Sequence, residues 1–103
     1  MAPLVFTPTM KAELLPHERH QLKADAFAEL RIWRVPEPVR GSDHDLKYAL
    51  AFVVAGICVL RYDNEAGKGD HRHIGEIETN YTFSTPAKLL ADFWNDVDQW
   101  RPE

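Results

Sequence analysis

The chemistry this chain could carry is concentrated between Arg61 and His73, where the residues read R-Y-D-N-E-A-G-K-G-D-H-R-H. On an extended strand, side chains two residues apart share a face. Arg61, Asp63 and Glu65 therefore point together before the glycine-containing stretch, and His71 and His73 point together after it. If the two stretches lie side by side, carboxylates, Lys68, Arg72 and two imidazoles fall into one small area. Two histidines supply a general base and a general acid near neutral pH. A lysine or arginine stabilises the charge that builds on a phosphate oxygen. Metal-independent RNA cleavage, with the 2′-hydroxyl as internal nucleophile, needs this equipment. The same set also suits a divalent cation, since His71 and His73 with Asp63, Glu65 or Asp70 offer mixed nitrogen and oxygen ligands. No cofactor is required by the first chemistry.

Gly67-Lys68-Gly69 offers backbone N–H groups to a phosphate, but it is not a Walker loop: the G-x-x-x-x-G-K-[ST] spacing is absent and no helix follows. Asp, Asn, Gly and Lys are also what any solvated turn contains. The density of titratable groups in one short stretch is what argues for a site. There is no G-x-S-x-G, C-x-x-C or H-E-x-x-H, which removes the common nucleophilic, redox and zincin chemistries. Arg34 and Lys47 could add phosphate contacts, and Trp33, Trp94 and Trp100 could stack bases. Trp94 and Trp100 fall at core spacing on a helix, so packing explains them. His17 and His20 have no partner that the sequence names.

Strands must position this segment. Lys11 to Leu22 alternates weakly, and Pro16 confines such a strand to a sheet edge. Lys23 to Ala26 reads as a turn. Phe27 to Val35 alternates better, with something apolar on both faces, so cover on both sides is expected. Pro36 to Ser42 is a loop by composition. Leu46 to Val54 and Ile57 to Tyr62 form a core hairpin, being rich in β-branched and aromatic residues. Its turn, Ala55-Gly56, is awkward, because a type I′ turn needs φ > 0 at both positions. Another turn type, or a turn one residue longer, is the alternative. His71 to Phe83 reads as one further extended segment, with Ile74, Ile77, Tyr81 and Phe83 as packing residues. A helix closes the chain: Thr85 suits the N-cap and Pro86 the first turn. Leu89, Leu90, Phe93, Val97 and Trp100 recur at helical spacing, with Asp92, Asn95, Asp96 and Gln99 opposite. The expectation is an α+β domain: a mainly antiparallel sheet of 4–5 strands packed by one C-terminal helix. Residues 1–9 are expected to be an irregular tail, and residues 10–103 a single domain.

The 103 residues, 45% hydrophobic and 27% charged, are enough for one modest core. Twelve Lys and Arg against sixteen Asp and Glu leave a net charge of −4, which argues against whole-surface attraction to nucleic acid. The charge is segregated, however. Beyond His73 the only cations are Lys88 and Arg101, among Glu76, Glu78, Asp92, Asp96, Asp98 and Glu103. The single cysteine, Cys58, excludes an internal disulfide and reads as a small buried hydrophobe in a cytoplasmic protein. No signal peptide is visible, and Ala49 to Leu60 is too short to span a bilayer.

The run Val59 to His73 resembles the signature of the TumE family of toxin-like proteins. The resemblance extends to Lys11-Ala12-Glu13-Leu14-Leu15, Ile32-Trp33-Arg34-Val35-Pro36, Lys47-Tyr48 and Leu90-Ala91-Asp92-Phe93-Trp94. It implies a toxin encoded beside a DNA-binding, helix-turn-helix antitoxin. Many toxins of this size act on RNA. A ribonuclease of this kind would use His71 and His73 as acid and base, Lys68, Arg72 and Arg61 against phosphate, and Asp63 or Asp70 to orient a histidine. The contrasting expectation is a non-catalytic protein-binding module acting through a partner complex. The acidic C-terminal helix would then meet a basic antitoxin segment or a second copy of the chain.

Overall fold

A computed structural model describes residues 13–65 and 67–102. Six strands run as an antiparallel meander in sequence order, followed by one helix: β1 (Glu13–Lys23), β2 (Ala26–Arg34), β3 (Leu46–Val54), β4 (Ile57–Asp63), β5 (His71–Ile74), β6 (Ile77–Asn80) and α1 (Pro86–Gln99). The expected α+β architecture is therefore present, with more strands than the expected 4–5. The addition comes from His71 to Phe83, which breaks at Gly75-Glu76 into a tight hairpin. Gly75 turns there with φ 60°.

Strict alternation in the central strands sends one set of side chains under the helix. Ala26, Ala28, Leu30 and Ile32 of β2, Leu46, Tyr48, Leu50 and Phe52 of β3, and Leu60 and Tyr62 of β4 are buried with Leu89 and Phe93 of α1. Each large side chain of this set contributes roughly 1.5–3 kcal/mol by leaving water. Trp94, Val97 and Trp100 pack at its margin. Thr85 accepts the Lys88 N–H at 3.1 Å, so the helix begins at the expected cap. Asp92 and Asp96 do not face away from the sheet as expected. The Tyr81 hydroxyl donates to Asp92 at 2.6 Å, and the Tyr62 hydroxyl and Arg72 both donate to Asp96.

The Ala55-Gly56 turn is two residues long with positive φ at both, 51° and 78°. Ala55 is thus held in the left-handed region, and its N–H donates to the Asp25 carbonyl at 2.7 Å in the neighbouring hairpin turn. The register shifts between Phe52 and Val53, opposite Cys58 and Leu60. Ile57 and Cys58 protrude at the hairpin tip beyond this irregularity, so Cys58 is exposed and not a core residue. Ile74 and Ile77 are exposed as well, at 37% and 69%, because the β5–β6 hairpin projects past the helix. Pro16 lies where the β1–β2 register slips, on the edge strand expected for it.

Cover on both faces of β2 does not occur: α1 covers the Leu30 and Ile32 face, while the Glu29, Arg31 and Trp33 face has no second layer among the described residues. The 1–9 tail lies outside the described residues.

Candidate functional site

The two halves of the Arg61–His73 segment do lie side by side. Strands β4 and β5 pair so that Arg61 faces His73 and Asp63 faces His71. All four occupy the sheet face away from the helix. Tyr62 and Arg72, the intervening pair, lie beneath the helix face instead, where Arg72 Nη1 meets Asp96 at 3.3 Å. Arg72 is therefore separated from the histidines by the thickness of the sheet. Its guanidinium is held firmly charged, through its contact with the Tyr62 hydroxyl first and the nearby Asp96 charge as well.

The carboxylate that meets the histidines is Glu78. It lies directly opposite His73 on β6. Its Oε2 is 3.4 Å from His71 Nε2, 3.8 Å from His73 Nε2 and 3.1 Å from Lys68 Nζ. The Lys68 ammonium holds the Glu78 carboxyl below its ordinary range, and both imidazoles act in the same sense. His71 is nearly buried, and its Nδ1 lies 2.7 Å from the Gly69 carbonyl. A carbonyl only accepts, so Nδ1 carries the proton and Nε2 is the atom turned to Glu78. Periodicity could not find Glu78, because only the Gly75 turn folds it back beside His73. A hairpin reading of His71 to Asn80 would have found it.

Asp63 and Asp70 face other partners. Asp63 accepts from Arg61 Nε at 2.5 Å, and Arg61 also reaches Glu65 at 3.3 Å. Burial works against the Arg61 charge, but the hydrogen bond to Asp63 outweighs it and leaves the guanidinium more firmly protonated. Asp70 accepts from the Ser42 hydroxyl at 2.5 Å, the Tyr48 hydroxyl at 2.7 Å and His44 Nε2 at 2.8 Å. The Leu46 N–H points to His44 Nδ1 at 3.2 Å, which fixes the Nε2–H tautomer that donates to Asp70. Burial alone would raise the Asp70 carboxyl, but hydrogen bonds from Ser42, Tyr48 and His44 reverse this and hold it below the ordinary carboxylate range. Burial pushes the Tyr48 phenol up, and its bond to Asp70 adds to the effect.

Asn64 completes this support. It is fully buried, accepts the Tyr48 N–H at 2.9 Å and donates to the Leu46 carbonyl at 2.8 Å. Gly69 packs backbone to backbone on Gly41: a Cβ on Gly41 would stand 2.4 Å from Gly69 N. Gly41 and Gly69 thus let two loops touch, and the Asp70 cluster anchors the start of β5. Beside Lys68 a cleft of about 460 Å³ opens between Ser42, Gly69, Asn80 and Thr82. A second cleft, of about 630 Å³ beside Leu22, Phe52 and Trp100, contains none of the expected site residues.

Among the described residues no group of three or more His, Cys, Asp or Glu side chains is arranged to hold a metal ion. Glu65 and Asp63 are both engaged by Arg61, and Asp63 stands opposite His71 across β4 and β5.

A family model described as Toxin TumE matches residues 3–101, nearly the whole chain. The chain belongs to the TumE toxin family. No curated protein and no solved structure matches it. TumE membership makes this chain a toxin component of a toxin–antitoxin module and implies an antitoxin partner. Among the described residues of this TumE chain, no helix is long and apolar enough to cross a membrane.

Proposed function

We propose that this toxin cleaves RNA without a metal, through His71 and His73 on the helix-free face of β5. The observation that carries the reading is one carboxylate, Glu78, facing both imidazoles and the Lys68 ammonium at 3.1–3.8 Å. The Cα atoms of His71 and His73 are about 6.6 Å apart on one strand face, a spacing that can bracket a phosphodiester. One imidazole takes the 2′-hydroxyl proton as the 2′-oxygen attacks phosphorus. The other, as imidazolium, protonates the departing 5′-oxygen as the P–O5′ bond breaks. The products are a 2′,3′-cyclic phosphate and a 5′-hydroxyl, so no water, metal or oxidant enters this step. Lys68 stabilises charge on the phosphoryl oxygens, and Glu78 orients the rings. Its substrate is cytoplasmic RNA. Losing either partner of an acid–base pair costs about 10²–10⁴ in rate. His71→Ala and His73→Ala are each expected to abolish growth inhibition and production of cyclic-phosphate ends. Full toxicity in both folded variants refutes the reading.

A binding surface for the antitoxin is supported by a separate observation. Strand β6 is a sheet edge with all four residues exposed, and it carries Ile77 beside Glu78. A partner strand added there would pair with open backbone groups and cover the histidine site. A helix-turn-helix antitoxin with such an extended segment neutralises the toxin in this way. Ile77→Asp is expected to leave growth inhibition intact while co-expressed antitoxin no longer relieves it. Neutralisation unchanged in that variant, or conversion of a homodimer to a monomer by it, assigns the edge elsewhere.

A further inference from the structure

The helix-free face continues well beyond the histidines. Two rows of paired residues cross all six strands. One runs His17, Arg31, Ala49, Asp63, His71, Asn80; the next runs Arg19, Glu29, Ala51, Arg61, His73, Glu78. On β3, the small side chains Ala49 and Ala51 stand between Arg31 and Glu29 of β2 and Asp63 and Arg61 of β4. Phe27 and Trp33 stand on the same face at either side of these rows, both half-buried.

Cations lie on both rings. The Arg19 guanidinium is 3.7 Å from the centre of Phe27, and Lys47 Nζ is 5.6 Å from the centre of Trp33. Neither Arg19 nor Lys47 meets a carboxylate among the described residues, whereas Arg31 lies 3.5 Å from Glu29 and Arg61 meets Asp63. Among the described residues, these two cations of the face thus lie against aromatic rings and not against carboxylates. The acids of this face each have a cation of their own, Glu29 with Arg31, Asp63 with Arg61 and Glu78 with Lys68, and Asp92, Asp96 and Asp98 lie on α1 on the other side.

From this arrangement we infer that the helix-free face is a platform for single-stranded RNA, with a base stacked on Trp33 and phosphates held by Lys47, Arg19 and Arg31. A base can replace Lys47 over the Trp33 ring, since stacking of a base on an aromatic side chain is generally the stronger contact. The displaced ammonium is then free to meet the adjacent phosphate. Trp33 lies about 16 Å from His71, three strands and one row away, so the platform holds the strand to one side of the reacting phosphate. An acidic peptide would use the cations but not the ring, and a duplex would keep its bases out of reach.

This inference names the substrate class for the site proposed above and rests on that reading only for its biological meaning. It is tested by fluorescence anisotropy with a labelled single-stranded oligoribonucleotide bearing 2′-O-methyl groups, which cannot be cut by 2′-hydroxyl attack. Trp33→Ala is expected to weaken binding about ten-fold, and Trp33→Phe to retain most of it. Lys47→Gln and Arg19→Gln are each expected to lower the slope of log affinity against log salt by about 0.7. Circular dichroism checks that each variant is folded. Should a folded Trp33→Ala bind as wild type, or duplex RNA or polyglutamate bind as tightly as the single strand, the platform is overturned. Cleavage of unmodified RNA by the wild-type chain is read separately. Tight, Trp33-dependent binding without cleavage refutes the histidine mechanism alone, and cleavage with Trp33-independent binding refutes the platform alone.

Discussion

Asp70 and Glu78 show how differently two carboxylates within one small region are employed. Asp70 is surrounded by three donors and ties the loop before β3 to the start of β5. Among the described residues, Glu78 is reached by the Lys68 ammonium and two imidazoles on the helix-free face. Asp70 titrates below its ordinary value in the folded chain, against 3.8 as reference. Its contribution to stability is therefore complete above about pH 4 and is lost as pH falls through the lowered folded value. Urea unfolding at stepped pH is expected to show stability falling below pH 4, with Asp70→Asn less stable at neutral pH and flatter across that window. The family resemblance makes Asp63 or Asp70 a candidate for orienting a histidine, and the histidine that Asp70 meets is His44. Asp70 stands just before β5, and its bonds come from Ser42, His44 and Tyr48.

At the scale of elements, the β3–β4 hairpin carries the clearest local conflict. Ala55 adopts φ 51°, which costs an L-residue with a Cβ roughly 1–2 kcal/mol. The two strands stay paired up to Val54 and Ile57, past the register shift at Phe52 and Val53, which leaves Ala55 and Gly56 to make the turn. Ala55→Gly and Ala55→Asn are expected to raise the thermal midpoint, by about 4–8 °C for each 1 kcal/mol recovered in a domain near this size. Calorimetry decides it; an unchanged or lowered midpoint in both variants would mean that Ala55 is not strained. The strands and the helix were legible because hydrophobic alternation and the Thr85-Pro86 cap are local signals. The β5–β6 hairpin was not, since a lone glycine at 75 stands among residues of good extended character.

The molecule as a whole has two sides of different character. One face of the sheet and the helix supply the core; the other face carries the histidines, the exposed cations and two half-buried rings. Substitutions on the two faces should therefore separate cleanly. Phe93→Ala removes a fully buried ring and is expected to cost about 3–5 kcal/mol, a large part of the stability of an ordinary domain. Lys68→Ala is expected to leave denaturant unfolding within about 0.5 kcal/mol of wild type while reducing toxicity. Comparable destabilisation by both would remove the division of labour. Local pattern in the sequence determined the antiparallel strands, the capped helix and the shared face of His71 and His73, because strand and helix periodicities are properties of neighbouring residues. Only the tertiary structure decided that Arg72 belongs to the helix side, that Asp70 braces a loop, and that Glu78 is the carboxylate facing the histidines. Those outcomes depend on which strand pairs with which across a turn, and on the thickness of a sheet that separates residues adjacent in sequence.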